Sequence, residues 1–110
     1  MRVLFWLNIG ITVVVLGLSL LYLYCPPKKI NGYYGHRTKR SMKSQEAWDF
    51  ANAYSSKLFV GFSIGLVVWQ VLFVPWLPIE KVLWITMGYL IVASFVNLFL
   101  TEKQLSKRFQ

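Results

Sequence analysis

Residues 58–79 read LFVGFSIGLVVWQVLFVPWLPI, a run without a charged side chain. Two further uncharged runs lie at 3–27 and 82–100. Each run reaches the ~18 apolar residues that indicate a membrane-spanning helix, and twenty helical residues rise ~30 Å, which matches the hydrocarbon core of a bilayer. The runs therefore predict three transmembrane helices, over about 3–24, 58–77 and 82–100.

The overall composition also indicates a membrane protein. The chain has 110 residues, of which 56% are hydrophobic, and its mean hydropathy is +0.50. A soluble domain of this size cannot bury so much apolar surface, whereas lipid can cover it. We therefore expect one all-α membrane domain over 1–110, with a loop at 26–57 and a tail at 101–110. The first apolar run is too long for the h-region of a cleaved signal peptide, which has ~7–15 residues.

The distribution of charge predicts how the helices are oriented. Of the 12 lysines and arginines, Arg2 and Lys81 lie on one side of a three-span arrangement and the others lie on the opposite side. Cytoplasmic segments carry the excess of Lys and Arg, so the loop and the C-terminus are predicted in the cytoplasm and the N-terminus outside. The basic residues are expected to contact anionic lipid headgroups. No nucleic-acid motif accompanies the net charge of +8, so nucleic acid is not an expected partner.

The second half of the loop is expected to form a short helix in the membrane interface. Either Ser41 or Ser44 would serve as its N-cap. An apolar stripe recurs there at helical spacing, formed by Ala47, Phe50, Ala51, Tyr54 and Leu58. The stripe predicts an amphipathic helix that lies against lipid or against the bundle.

Small and polar residues inside the predicted spans indicate how the helices pack. Gly61 and Gly65 form a GxxxG pattern, whose flat surface lets another helix approach closely, either within the monomer or in a homodimer. Asn8, Gln70 and Asn97 are costly to expose to lipid. For these three we favour hydrogen bonds between helices over contact with a ligand.

The loop carries one constellation of opposite charges. Arg37 could hold a carboxylate of Glu46 or Asp49 in its guanidinium fork, because arginine pairs bidentately with carboxylate and phosphate. Such a pair would be a latch that fixes the loop on the bundle; the alternative is a recognition site for an anionic or peptide ligand. His36 and two acids lack metal-ligand spacing, so no metal or cofactor is expected. No catalytic motif is present, so we do not expect an enzyme.

The same loop carries a motif that resembles a known family. NGYYG at 31–35 is followed by Arg37-Thr38, Ser41 and WxxAN at 48–52, leading into a spanning helix. This pattern is similar to that of the SdpI family of small bacterial membrane proteins. The resemblance implies an inner-membrane location and marks the motif positions as candidates for binding a ligand or partner: Gly35, Arg37, Thr38, Ser41, Trp48 and Asn52.

The resemblance also implies a function. The best-known member of the family gives its bacterium immunity to a secreted, membrane-active peptide toxin, and it holds a transcriptional repressor at the membrane. That member has additional spans, whereas this chain is close to a three-span core. We expect protection from a toxin peptide by binding. The alternatives are a signalling or scaffold subunit that docks a cytoplasmic regulator, and a small lipid-modifying or transport protein that uses Glu46 or Asp49.

Overall fold

The computed structural model describes residues 2–109, and in this range it contains helices and no strand. Each of the three long helices is apolar and long enough to cross a membrane. This confirms the prediction of an all-helical, multi-pass membrane protein. The helices are α1 (Arg2–Tyr24), α2 (Gln45–Phe73) and α3 (Ile79–Arg108), and a short 3₁₀ turn (Val74–Trp76) joins the last two.

Prolines mark the ends of the first two helices. The first helix ends before Pro26 and Pro27, because proline lacks a backbone N–H and disfavours helix in the residue before it. Pro75 and Pro78 bracket the tight connection that makes α2 and α3 an antiparallel pair.

The second helix, α2, lies in the middle of the bundle. It contacts both neighbours extensively, whereas α1 and α3 contact each other little. This arrangement leaves a gap between α1 and α3.

The second helix begins well before the predicted span. Ser44 caps it: its backbone is extended, and its Oγ accepts a hydrogen bond from the Ala47 N–H at 3.1 Å. No proline or glycine interrupts residues 45–60, so the helix continues without a break. The separate interfacial helix that we predicted is therefore not formed. Residues 45–57 are instead the first turns of α2.

The predicted apolar stripe packs against the end of α3. Ala47 and Ala51 are fully buried against Leu105, and Phe50 and Phe109 cover this small cluster. The third helix can supply these contacts because it continues through Arg108 and includes most of the predicted tail. The first turns of α2 are therefore anchored to the bundle.

Polar side chains inside the spans bind one another across the helices. Gln70 on α2 donates to Asn8 on α1 at 3.2 Å and to Thr86 on α3 at 3.1 Å. Nearer the loop, Ser55 donates to Asn97 Oδ1 at 2.8 Å, and Asn97 Nδ2 donates to the Ser55 carbonyl at 3.1 Å. The prediction of interhelical hydrogen bonds is thus confirmed for all three polar span residues.

The GxxxG glycines do not form a helix-packing groove inside the monomer. A Cβ added to Gly61 would meet no atom within 4 Å, so this position is open. A Cβ added to Gly65 would lie 3.0 Å from the Tyr89 hydroxyl, which donates to the Phe62 carbonyl at 2.6 Å. Gly65 therefore makes room for one tyrosine side chain, and homodimerisation through this pattern stays a prediction.

Candidate functional site

Asn52 on α2 is the centre of the candidate site, and its side chain is almost fully buried. Its Oδ1 accepts hydrogen bonds from the Tyr22 hydroxyl at 2.6 Å and from the His36 backbone N–H at 2.7 Å. Its Nδ2 donates to the Trp48 carbonyl one turn earlier, at 2.9 Å. One amide side chain therefore connects α1, the loop and α2.

Gly35 brings the loop down onto this amide. Its φ of +104° lies in a region of backbone conformation that residues other than glycine rarely adopt. A Cβ at this position would overlap Asn52 Oδ1 and would come within 2.7 Å of Pro27 Cγ. Both the backbone conformation and the available space thus require glycine at this motif position.

Trp48 anchors the beginning of the loop. The indole is completely buried, and its Nε1–H donates to the Pro27 carbonyl at 2.7 Å. Nearby, Gln45 Nε2 donates to the Lys28 carbonyl at 2.6 Å. The chain that leaves α1 is therefore fixed over the first turns of α2.

Ser41 closes a tight turn in the loop. Its Oγ accepts from the Thr38 N–H at 2.8 Å and donates to the His36 carbonyl at 2.8 Å. The Ser41 side chain is fully buried. Its hydroxyl therefore supplies the hydrogen bonds that water would otherwise make with the Thr38 N–H and the His36 carbonyl. The turn fixes the positions of His36, Arg37 and Thr38 relative to one another.

Glu102 on α3 latches this turn to the bundle. Its Oε1 lies 2.9 Å from His36 Nε2 and also accepts a hydrogen bond from the Thr38 hydroxyl. Sequence reasoning missed this residue. Its signal was that Glu102 is the only acid in the otherwise basic stretch 101–108.

The predicted pairing of Arg37 with Glu46 or Asp49 is wrong. Both acids lie exposed on the first turns of α2, and Asp49 instead accepts from Gln45 Nε2 at 2.8 Å. Arg37 is exposed and makes no side-chain hydrogen bond or ion pair within residues 2–109. The turn buries His36 and exposes Arg37, so the latch uses His36 and the guanidinium remains available.

Tyr34 fastens the other edge of the loop. Partial burial raises the pKa of its phenol above the ordinary value, and electrostatic repulsion from the neighbouring Cys25 side chain adds to the rise. The hydroxyl donates to the Cys25 carbonyl at 2.9 Å. This bond ties the loop back to the end of α1.

Residues 34–38 of the loop roof one end of a half-open groove of about 840 Å³. Its floor is α2, and its side walls are α1 and α3, which contact each other little. The volume lies within the range of about 300–1,000 Å³ that is usual for ligand sites. The walls are largely apolar, with Leu18, Phe62, Leu90 and Leu98 among them, and Arg37 lies at the polar end.

The motif residues thus divide into two groups. Gly35, Thr38, Ser41, Trp48 and Asn52 come together as the framework of the loop. Arg37 alone among them remains without a side-chain partner in the described part of the chain, and Glu46 and Asp49 lie outside the arrangement. No group of three His, Cys, Asp or Glu side chains gathers within 2–109 as a metal site would require.

Comparison with known proteins decides the family. A family model described as the SdpI/YfhL protein family matches residues 28–101. This chain belongs to the SdpI/YfhL family. A relative named "Uncharacterized protein YfhL", from Bacillus subtilis (strain 168), is 38% identical over 92 residues, which cover 79% of this chain and 74% of the relative. No solved structure matches.

The SdpI/YfhL match includes the motif in the loop, the whole of α2 and most of α3. Two residues that hold the loop in place lie outside it: Tyr22 on α1, and Glu102 directly after its end. The family resemblance noted in the loop is thus confirmed over most of the chain.

Proposed function

We propose that this SdpI/YfhL protein protects a bacterial cell from a membrane-active peptide, and that it does so by binding. The observation that carries the proposal is the half-open groove roofed by the family motif. A framework of buried hydrogen bonds holds that roof, while Arg37 faces the groove without a partner in the described residues. Such an arrangement presents a preformed surface to a ligand.

The size and polarity of the groove suit part of an amphipathic peptide. A helix ~10 Å across that rises ~5.4 Å per turn occupies about 420 Å³ per turn. The groove of about 840 Å³ therefore accommodates roughly two turns, or the side chains along one face of a longer helix. Apolar side chains would contact the walls, and a polar or acidic end would lie beside Arg37.

We propose that the loop lies on the cytoplasmic side, as the excess of basic residues favours. A peptide that arrives from outside reaches the groove laterally through the bilayer, because the groove is open between α1 and α3. The orientation is tested with a single cysteine in place of Lys39 in a Cys25→Ser background. An impermeant thiol reagent should leave it unlabelled in intact cells and label it after lysis; labelling in intact cells would reverse the topology.

The protective function is tested by survival of a sensitive bacterium that expresses this protein and is exposed to the toxin. Ser94 lines the groove on α3, so Ser94→Phe fills the groove from an exposed position. Val92 is exposed on the same helix and lies outside the groove, so Val92→Phe is the matched control.

We expect wild type and Val92→Phe to survive alike, and Ser94→Phe to protect only up to an about tenfold lower toxin concentration, because a blocked binding surface worth ~1.4 kcal/mol or more weakens the affinity about tenfold or more. Membrane levels of the three proteins are compared by immunoblot. Equal protection by Ser94→Phe at equal levels would show that the groove is not the binding surface.

A further inference from the structure

We propose that the groove holds one phospholipid of the leaflet that the loop faces, with the lipid phosphate on Arg37 and an acyl chain between α1 and α3. The lipid would occupy the same groove that the proposed function assigns to the peptide, so a bound peptide would have to displace it; lipid binding itself does not depend on the protective function. A protein that failed to protect a cell could still hold the lipid, and a protein that held no lipid could still protect a cell.

Charge complementarity points to a phosphate at the rim of the groove. Arg37 lines the groove, is exposed, and has no acidic partner in residues 2–109. Glu102 on α3 latches the turn of the loop that carries Arg37, but it already accepts hydrogen bonds from His36 and Thr38. A guanidinium fork binds phosphate bidentately, so a lipid headgroup supplies the anion that the protein does not.

The inner part of the groove suits a hydrocarbon chain. Its polar side chains are already satisfied: the Oγ atoms of Ser19 and Ser63 lie 2.8 Å apart, so one hydroxyl donates to the other, which in turn donates to a carbonyl of its own helix. Within the described residues no buried side-chain nitrogen or oxygen lacks a partner. An acyl chain therefore displaces no required hydrogen bond, and it covers the apolar walls.

A second copy of this chain is a poorer occupant. A spanning helix of a second copy in the groove would bring no acid to Arg37, because the uncharged runs at 3–27, 58–79 and 82–100 contain no acidic side chain. A phospholipid matches both the apolar walls and the charged rim, and every bacterial membrane contains it.

The test is native mass spectrometry of the full-length protein, delipidated in mild detergent and incubated with micelles that contain phosphatidylglycerol. Wild type should retain one phosphatidylglycerol molecule. Arg37→Ala should bind it about tenfold more weakly or worse, as expected for the loss of a charge-assisted contact. Lys39→Ala removes the same charge from an exposed position outside the groove, and it should bind like wild type.

A second variant tests the lipid site even if Arg37→Ala alters the loop, and a second ligand tests whether phosphate alone is bound. Ser94→Phe should also lose the lipid, because it fills the path of the acyl chain. Inorganic phosphate at millimolar concentration should neither bind nor displace the lipid. The proposal is overturned if wild type binds no more lipid than Ser94→Phe, if Arg37→Ala and Lys39→Ala bind it equally, or if phosphate alone occupies the site.

Discussion

Replacement of Gly35 with alanine is expected to detach the loop from the bundle. The φ of +104° disfavours any side chain at this position, at a cost of about 1–3 kcal/mol. The added Cβ would also overlap Asn52 Oδ1 and press on Pro27, and both neighbours are buried. The clash breaks the hydrogen bond between Asn52 and the His36 N–H, so the roof of the groove should lose its fixed position.

The effect is measured as thermal unfolding in detergent, with Gly32→Ala as the control. Gly32 lies three residues earlier in the same loop, does not have a positive φ, and offers open space to a Cβ. We expect a clear fall in Tm for Gly35→Ala and little change for Gly32→Ala. Similar Tm values for the two variants would contradict the described packing of the loop.

Replacement of Asn52 with alanine is expected to destabilise the protein by roughly 2–6 kcal/mol, because two buried donors lose their acceptor at ~1–3 kcal/mol each. These donors are the Tyr22 hydroxyl and the His36 N–H, which belong to α1 and the loop. Removal of one amide should therefore loosen three parts of the molecule together.

Asn31→Ala is the matched control for this experiment. Asn31 also accepts two hydrogen bonds, from the N–H groups of Tyr33 and Tyr34 at 2.9 and 2.8 Å, but both bonds are exposed to solvent. Water can replace them, so the cost should stay below about 1 kcal/mol. Hydrogen exchange at the His36 amide should accelerate in Asn52→Ala and not in Asn31→Ala. An equal loss of stability in both variants would contradict the role of Asn52.

Most of the fold follows from short-range features of the sequence. Uncharged runs identify the spans because their length matches the bilayer, and prolines locate the ends of α1 and α2. The start of α2 was harder to place, because the amphipathic stripe at 45–57 fits an interfacial helix as well as the first turns of a longer one. Leu105, far away in sequence, decides between them by packing on Ala47 and Ala51.

The site was less predictable because its contacts join distant segments. The motif identified Gly35, Trp48 and Asn52, but it did not show that Asn52 binds Tyr22 on α1. The predicted latch of Arg37 with Glu46 or Asp49 does not form, and His36 with Glu102 latches the loop instead. Neighbouring residues of a tight turn face different surroundings, and only the tertiary structure shows that His36, and not Arg37, meets an acid.

The motif consists of five framework residues and the exposed Arg37, and this division predicts different effects of substitution. Five motif positions are occupied by contacts that hold the loop, so their substitution should affect folding first. Arg37 makes no such contact within the described residues, so its substitution should affect binding first. Protection from a membrane-active peptide should therefore depend on Arg37 without a change in stability.

Survival of a toxin-sensitive bacterium that expresses wild type, Arg37→Ala or Lys39→Ala at equal membrane levels tests this claim most directly. The Tm of each purified protein is measured alongside. We predict that Arg37→Ala keeps the Tm of wild type and protects only up to an about tenfold lower toxin concentration, because ~1.4 kcal/mol or more of lost binding weakens the affinity about tenfold or more, while Lys39→Ala protects fully. Full protection by Arg37→Ala would contradict the account.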